Sequence, residues 1–222
     1  MIDLKKVIIY GIGVIAKIVT NFLNLNDIEV EAYTVDDDYF EDSEFLGKPV
    51  VPLSIVEKRY PPEQYDGFVA VGYKRMRARK EMFEKMVSKG YFLINCVAKG
   101  AILLPNVEIG KNNLIFPGTV IENNVKIGDN NIIWSNATIC HDSQIDNHNF
   151  IAAGVVIGGF CKIGNMNFIG FNSTIREKRI IPDEVLIGAS SFVNKNPESL
   201  SVYYGVPAKK VKSLVNGVEI ND

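Results

Sequence analysis

Residues 106–139 read NVEIGKNNLIFPGTVIENNVKIGDNNIIWSNATI, and within them every sixth residue is isoleucine: Ile109, Ile115, Ile121, Ile127, Ile133 and Ile139. The beat continues on both sides. Upstream it meets Leu103 and Val97, and downstream Ile145, Ile151, Ile157, Ile163, Ile169, Ile175, Ile181, Ile187 and Val193, seventeen positions with no insertion. If Ile, Leu and Val filled about a third of positions, chance agreement would be on the order of one in 10⁸. A period of six fits neither an α-helix at 3.6 nor a flat amphipathic strand at 2. It fits a short strand plus a corner, each strand pointing one aliphatic side chain into a triangular prism. Three hexads make one coil, and the sixteen steps give about five coils. Right-handed coils are longer and less regular, and α-helical solenoids need longer repeats. The expected fold of this half is therefore a left-handed parallel β-helix.

Two further features belong to the repeat. Glycine directly follows the aliphatic residue at Gly110, Gly128, Gly158, Gly164, Gly170 and Gly188. A tight corner with relaxed backbone sterics is the expected reason. Four residues after the aliphatic comes a mostly small or β-branched residue, as at Thr119, Val125, Ala137, Val155 and Ser173.

The first 96 residues follow another rule. A β-rich run at 5–10 leads into Gly11-Ile12-Gly13-Val14-Ile15-Ala16 and a helical stretch to about Leu23. A second strand is expected at 28–35, ending in Asp36-Asp37-Asp38, and a third at 67–71. Gly72-Tyr73-Lys74-Arg75 then precedes a helix near 76–89 and a short strand at 92–95. This alternation implies a small Rossmann-like parallel sheet that binds ligands at the carboxyl ends of its strands. In the G-x-G-x-x-A turn, glycines let helix-start N–H groups meet a phosphate, and Asp36 is placed for a ribose or base. The pattern also suggests NAD, but the sheet has about half the strands of a full dinucleotide fold, so a mononucleotide or nucleotide-sugar fits better. A purely structural strand-to-helix turn is the plainer alternative. Lys74, Arg75, Arg77 and Arg79 form a basic cluster that could face a diphosphate or simply solvent. The domains expected are thus 1–96, 97–207 and a C-terminal extension at 208–222.

Composition narrows the partners. The chain is 47% apolar with a formal charge of −2, which makes neither nucleic acid nor an anionic membrane the default partner. Cys96, Cys140 and Cys161 are an odd set without C-x-x-C spacing, which argues for free thiols in a reducing, cytoplasmic setting. The apolar start is interrupted by Lys17 and reads as neither a membrane span nor a signal peptide. A three-histidine zinc site is excluded, because His141 and His148 are the two histidines of the chain.

YGIGVIA at 10–16, VDDD at 35–38, VGYKR at 71–75, the hexads, ICHDSQI at 139–145 and YYGVPAKKV at 203–211 together carry a resemblance. The chain resembles the hexapeptide-repeat acyltransferases that include bacterial sialic acid O-acetyltransferases and N-acetyltransferases of nucleotide-linked 4-amino-deoxy sugars. The resemblance implies a homotrimer with active sites between neighbouring β-helices, a nucleotide-sugar on the N-terminal domain and acetyl-CoA on the β-helix. It places Gly11 and Gly13 at the phosphates, Asp36 and Asp37 at the nucleoside, and Gly72 and Lys74 at the border of that pocket. His141 matches the general base and Asp142 the acid that raises its basicity. Phe171 and Ala189 fall where backbone meets acetyl-CoA, and Gly205, Pro207, Ala208 and Lys209 lie beside its distal end. Nine residues after the histidine, where a polar residue commonly stands, this chain has Phe150, and His148 is no obvious substitute. A histidine base suits amide formation, since the amine that attacks the thioester must lose a proton near neutral pH. No cysteine nucleophile is then required, and Cys140 is expected to be structural. A sugar hydroxyl as acceptor, a non-catalytic scaffold and an NAD oxidoreductase are the rival readings.

Overall fold

The computed structural model describes residues 5–41 and 44–220, and the chain divides into two compact units. One comprises residues up to Gly72 together with Arg79–Cys96, and the other Tyr73–Ala78 together with the chain from Val97 onward.

The first unit is built on a sheet of β1 (Lys6–Tyr10), β2 (Val30–Val35), β3 (Glu44–Phe45), β4 (Lys48–Pro52) and β5 (Tyr65–Val69), in the order β3-β4-β2-β1-β5. β1, β2, β4 and β5 are mutually parallel, and β3 turns back on β4 as an antiparallel edge. The β1 segment Val7-Ile8-Ile9-Tyr10 is buried throughout, as expected of a central strand covered on both faces. Helix α1 (Val14–Leu25) buries Ile15, Ala16, Val19, Thr20 and Leu23, a face at helical spacing. From β1 the chain goes to β2 on one side and later to β5 on the other. The order reverses at β1, and such a switch point opens a crevice at the strand ends.

Sequence and structure differ here in three places. The strands expected at 28–35 and 67–71 run Val30–Val35 and Tyr65–Val69. The hairpin β3–β4 and the short helix α2 (Val56–Arg59) were not expected. The strand expected at 92–95 reduces to one parallel bridge between Gly67 and Leu93. There the Leu93 side chain occupies the space a Cβ on residue 67 would need, 2.7 Å away. A side chain at residue 67 would have to displace Leu93 for that segment to approach.

The second unit is the left-handed parallel β-helix. Two-residue strands recur along it and stack into three sheets, each pairing residues eighteen apart, as in Ile121↔Ile139 and Ile139↔Ile157. The inward residues Ile121, Ile133, Ile139, Ile151, Ile157, Ile169, Ile175, Ile181 and Ile187 are fully buried. Side chains of this size contribute roughly 1.5–3 kcal/mol each when buried, so the column is the core. Thr119, Val125, Ala137, Val155 and Ser173, four residues after an aliphatic, are also wholly buried at the inner corners. The last turn of the helix carries an antiparallel pair, Ser201–Gly205 with Ala208–Ser213. Residues 221–222 lie outside the described chain.

The corners correct one expectation. The left-handed backbone falls three residues after the aliphatics from Val97 to Ile187, at Asn106, Asn112, Asn124, Asn130, Asn136 and Asn172 among others, not at the glycines that directly follow them. Asparagine tolerates that region better than most side chains. The glycines answer to crowding instead. A Cβ on Gly170 would lie 2.6 Å from the Ala189 nitrogen, and one on Gly158 2.6 Å from the Glu177 nitrogen. Adjacent coils touch backbone to backbone there.

Candidate active site

At the switch point of the first unit lies a cavity of about 430 Å³ lined by Tyr10, Gly11, Gly13, Asp36 and Gly72, with Ile12, Val35, Tyr39, Glu41, Val50, Ala70, Val71 and Met82. The loops after β1, β2 and β5 all contribute. Gly11 has φ +118°, and a Cβ there would strike the Ala70 carbonyl oxygen at 2.8 Å, so the first glycine is needed by the fold itself. Gly13 differs: it precedes α1 with no side-chain cap, and no described residue lies within 4 Å of where its Cβ would be. The open N-terminus of α1 therefore meets the cavity, a setting that favours an anion. Tyr10 forms the floor. Among the described residues its buried hydroxyl has no hydrogen-bond partner in good geometry. Burial raises its phenol far above the ordinary range, and the Asp36 carboxylate adds to the effect.

Asp36 and Asp37 do not act alike. Lys85 Nζ, from helix α3 (Met76–Ser88), lies 2.6 Å from Asp36 Oδ1 and fixes that carboxylate at the cavity edge. Asp37 accepts the Ser54 N–H at 3.0 Å, and hydrogen bonds from Ser54 hold its carboxyl below the usual carboxylate range. Asp37 lines an adjoining polar hollow with Asp36, Asp38, Lys85 and Lys89, not the main cavity.

The basic cluster does not persist as one face. Arg77 pairs with Glu184 at 3.0 Å, Arg75 stands 3.6 Å from Glu219, and Arg79 is only 2% exposed. Lys74 belongs to the second unit, where its carbonyl accepts the Ile220 N–H, while Gly72 lines the cavity of the first.

On the β-helix, His141 sits where a coil leaves its strand at Thr138–Ile139. Its Nδ1 lies 2.9 Å from Asp142 Oδ2, and both side chains remain accessible, 52% and 37% exposed. A carboxylate only accepts, so Nδ1 carries a proton, and in the neutral ring the lone pair is on Nε2. Hydrogen bonds from His141 and then Asn124 hold Asp142 below its ordinary pKa, hence ionised. The His141 backbone N–H donates to Glu122 Oε2 at 2.8 Å, and the Phe160 ring meets the imidazole edge-on at 5.2 Å. Gly159 lies against the ring: a Cβ there would come 3.0 Å from Cε1 and from Nε2. Gly159, Glu122, Asn124, Lys85 and Tyr10 were not singled out from the sequence. For Asn124 a signal existed, since Asn106, Asn124 and Asp142 are spaced by three hexads.

His148 is set differently from His141. It is 8% exposed, and its Nδ1 bonds to Asn130 Nδ2 at 2.9 Å in a corner column that begins at Asn112. Phe150 is 1% exposed and stacked on Phe168 with centroids 5.1 Å apart, Tyr73 and Trp134 closing around it. An aromatic column thus occupies the position where a polar residue was expected. Cys96, Cys140 and Cys161 are free thiols. Cys140 follows the aliphatic Ile139, and burial with the nearby Glu122 carboxylate raises its thiol pKa.

Phe171 and Ala189 line a second cavity, about 280 Å³, with Phe168, Gly170, Gly188, Val202, Tyr204 and Lys212 among its walls. Leu186, Leu214 and Ile220 add apolar wall, and Lys212 and Glu219 bring one charge of each sign to the lining. Gly205, Pro207, Ala208 and Lys209 lie in the terminal hairpin outside this lining. Among the described residues, no group of three or more His, Cys, Asp or Glu could hold a metal ion, and no helix is long and apolar enough to cross a membrane.

Comparison with known proteins agrees with this division. A family described as the PglD N-terminal domain matches residues 6–86, and the bacterial transferase hexapeptide family matches 106–141 and 124–159. PerB from Caulobacter crescentus, solved with CoA and GDP-perosamine, is 25% identical over 93% of this chain and 97% of its own, with a TM-score of 0.83. The acetyltransferase domain of PglB from Neisseria gonorrhoeae, solved with acetyl coenzyme A, is 25% identical over 93% of this chain and 99% of its own, also at 0.83. A mutant of perosamine N-acetyltransferase from Caulobacter crescentus, at 24% identity over 94% and 97% and a TM-score of 0.83, shows the same fold. With a PglD-type, Rossmann-like unit followed by hexapeptide coils, the chain belongs to the hexapeptide-repeat acyltransferases that its sequence resembles.

Proposed function

We propose that the protein is an acetyl-CoA-dependent N-acetyltransferase acting on the amino group of a nucleotide-linked 4-amino-deoxy sugar. The observation that carries this reading is the His141–Asp142 pair at 2.9 Å, with Nδ1 tied to the carboxylate and Nε2 free to take a proton. The sugar amine attacks the thioester carbonyl, His141 accepts the ammonium proton as the tetrahedral adduct forms, and CoA departs as thiol once protonated. Base catalysis of this kind is worth roughly 10²–10⁴-fold. Asp142 orients the ring and stabilises the imidazolium.

In this reading the nucleotide diphosphate lies at the open start of α1, by Gly11 and Gly13, with Asp36 at the nucleoside and Gly72 along the cavity wall. Asp37 acts through its hold on Ser54, and Lys74 borders the site by its position in sequence. Acetyl-CoA takes the cavity at Phe171 and Ala189, with the hairpin residues Gly205, Pro207, Ala208 and Lys209 toward its distal end. The half-exposed imidazole needs cover from water, and a homotrimer with sites between neighbouring β-helices supplies it. A cytoplasmic location suits both substrates. The similarity to PerB, whose structure holds CoA and GDP-perosamine, supports the choice of a nucleotide-linked amino sugar.

A thiol-release assay with acetyl-CoA against UDP-, dTDP- and GDP-linked 4-amino sugars, with free sialic acid alongside, tests the assignment. Turnover of a 4-amino nucleotide-sugar is expected. Activity on free sialic acid alone would replace it with sugar O-acetylation.

A further inference from the structure

One corner column of the β-helix ends at the proposed base. Asn106, Asn124 and Asp142 stand one coil apart, all in the left-handed region at φ 63°, 60° and 57°. Asn106 Nδ2 donates to Asn124 Oδ1 at 3.2 Å, and Asn124 Nδ2 donates to Asp142 Oδ1 at 3.2 Å. The other carboxylate oxygen, Oδ2, takes His141 Nδ1 at 2.9 Å. The direction of this chain is fixed by chemistry: an ionised carboxylate donates nothing, so the ladder must terminate at Asp142. One coil further on, the column holds Phe160, which packs against the imidazole edge instead of continuing the hydrogen bonds.

We propose that Asn124 is a positioning residue for the general base, acting through Asp142. Rotation about χ2 of an aspartate is broad, and the Asp142 side chain is 37% exposed, so its hydrogen bonds set the orientation of the carboxylate. With Oδ1 committed to Asn124, Oδ2 stays in line with Nδ1. The second bond also favours the anion, so the carboxylate remains the acceptor and Nδ1 the donor. Glu122 holds the backbone N–H of His141 from the coil below, and Gly159 and Phe160 bound the ring from the coil above. The neighbouring corner column shows the same arrangement put to structural use. Asn112 donates to Asn130 at 2.9 Å, Asn130 meets His148 at 2.9 Å, and there the imidazole is the buried end of the ladder.

The proposal rests on His141 being the base, and the two can fail separately. Asn124→Ala is expected to lower kcat roughly ten- to hundredfold while KM for both substrates stays close to wild type, with a modest fall in melting temperature because alanine fits the left-handed corner less well than asparagine. Asn106→Ala, one rung further out, should cost much less. Nitrogen-15 NMR adds a readout that a merely structural role would not move. The chain has two histidines, so His141 is readily assigned, and its Nδ1–H tautomer should dominate in the wild type and mix with the Nε2–H form in Asn124→Ala. A wild-type kcat and tautomer in Asn124→Ala would overturn the positioning role. Full activity in His141→Ala would instead remove the base assignment beneath it.

Discussion

Gly159 is the floor on which the His141 imidazole rests: a Cβ on residue 159 would sit 3.0 Å from both Cε1 and Nε2, closer than ordinary packing allows. The backbone of Gly159 is not left-handed, so alanine there is not strained by its own conformation. Gly159→Ala therefore displaces the ring while leaving the coil able to form. Misplacing a base by a fraction of an ångström to an ångström costs up to about 10²-fold in rate. The expected result is a kcat roughly ten- to hundredfold lower with KM for acetyl-CoA and the melting temperature little changed. An unaltered kcat would mean that Nε2 is not the reacting atom.

Removing the charge of Asp142 while keeping its shape separates orientation from electrostatics. Asp142→Asn should lower kcat at neutral pH by a share of the roughly 10²–10⁴-fold that base catalysis supplies. The wild-type carboxyl is depressed below the ordinary aspartate value by His141 and Asn124. A group depressed in the folded state stabilises it above the unfolded pKa and loses that contribution as pH falls through the folded one. Any stability difference between wild type and Asp142→Asn is thus constant near neutrality and fades only below about pH 3.9. Melting curves across pH 3–7 check this. A difference that disappears between pH 5 and 7 would assign the effect to the imidazole instead.

The β-helix was legible because its rule is local and repeats without error: one aliphatic per six residues, for seventeen positions. What the period could not show is which atoms meet between coils. The glycines after Ile109, Ile157 or Ile169 looked like conformational hinges, yet they are sites of backbone contact one coil away. The hairpin Glu44–Phe45 and Lys48–Pro52 was hidden for another reason. Its turn uses Leu46 at φ 51° and Gly47 at φ 72°, and leucine is not a residue that announces a left-handed turn. The Arg77–Glu184 pair joins residues 107 apart, so a cluster of cations in sequence gave no warning of its partner. His141 and Asp142, adjacent in the chain, were readable only through resemblance. Their supports on Gly159 and Asn124 required the eighteen-residue stacking to be followed residue by residue.

Cys140, directly before His141, invites a covalent acyl-enzyme route that the geometry disfavours. Burial and the Glu122 carboxylate both raise its thiol pKa, which lowers the thiolate fraction needed for attack. It fills the position after the aliphatic, where small residues recur. Cys140→Ala should retain kcat within about twofold, and no acetylated protein should accumulate when acetyl-CoA is given without acceptor. A mass increase of one acetyl group on Cys140, lost on addition of the sugar, would restore the covalent route. Cys96, pushed up to about 12 by burial, should resist alkylation in either case.

Two glycine substitutions distinguish a fold position from a ligand position. At Gly170 an added Cβ meets the Ala189 nitrogen at 2.6 Å and the Ile187 carbonyl oxygen at 2.8 Å, neither able to move without parting two coils. Gly170→Ala should cost about 1–3 kcal/mol, the usual range for overpacking. At Gly13 no described residue lies within 4 Å of an added Cβ, and the residue has φ −87°, which alanine adopts freely. Gly13→Ala should leave the melting temperature within a degree or two, since an exposed methyl without clashes changes stability by roughly 0.5 kcal/mol or less. Gly13 lines the cavity that the proposed function assigns to the nucleotide phosphates. The added methyl should raise the KM for the nucleotide-sugar about tenfold, equivalent to ~1.4 kcal/mol, and leave that for acetyl-CoA unchanged. If Gly13→Ala instead alters the KM for acetyl-CoA alone, the cavity at the start of α1 serves the thioester substrate, and the two substrate assignments must be exchanged.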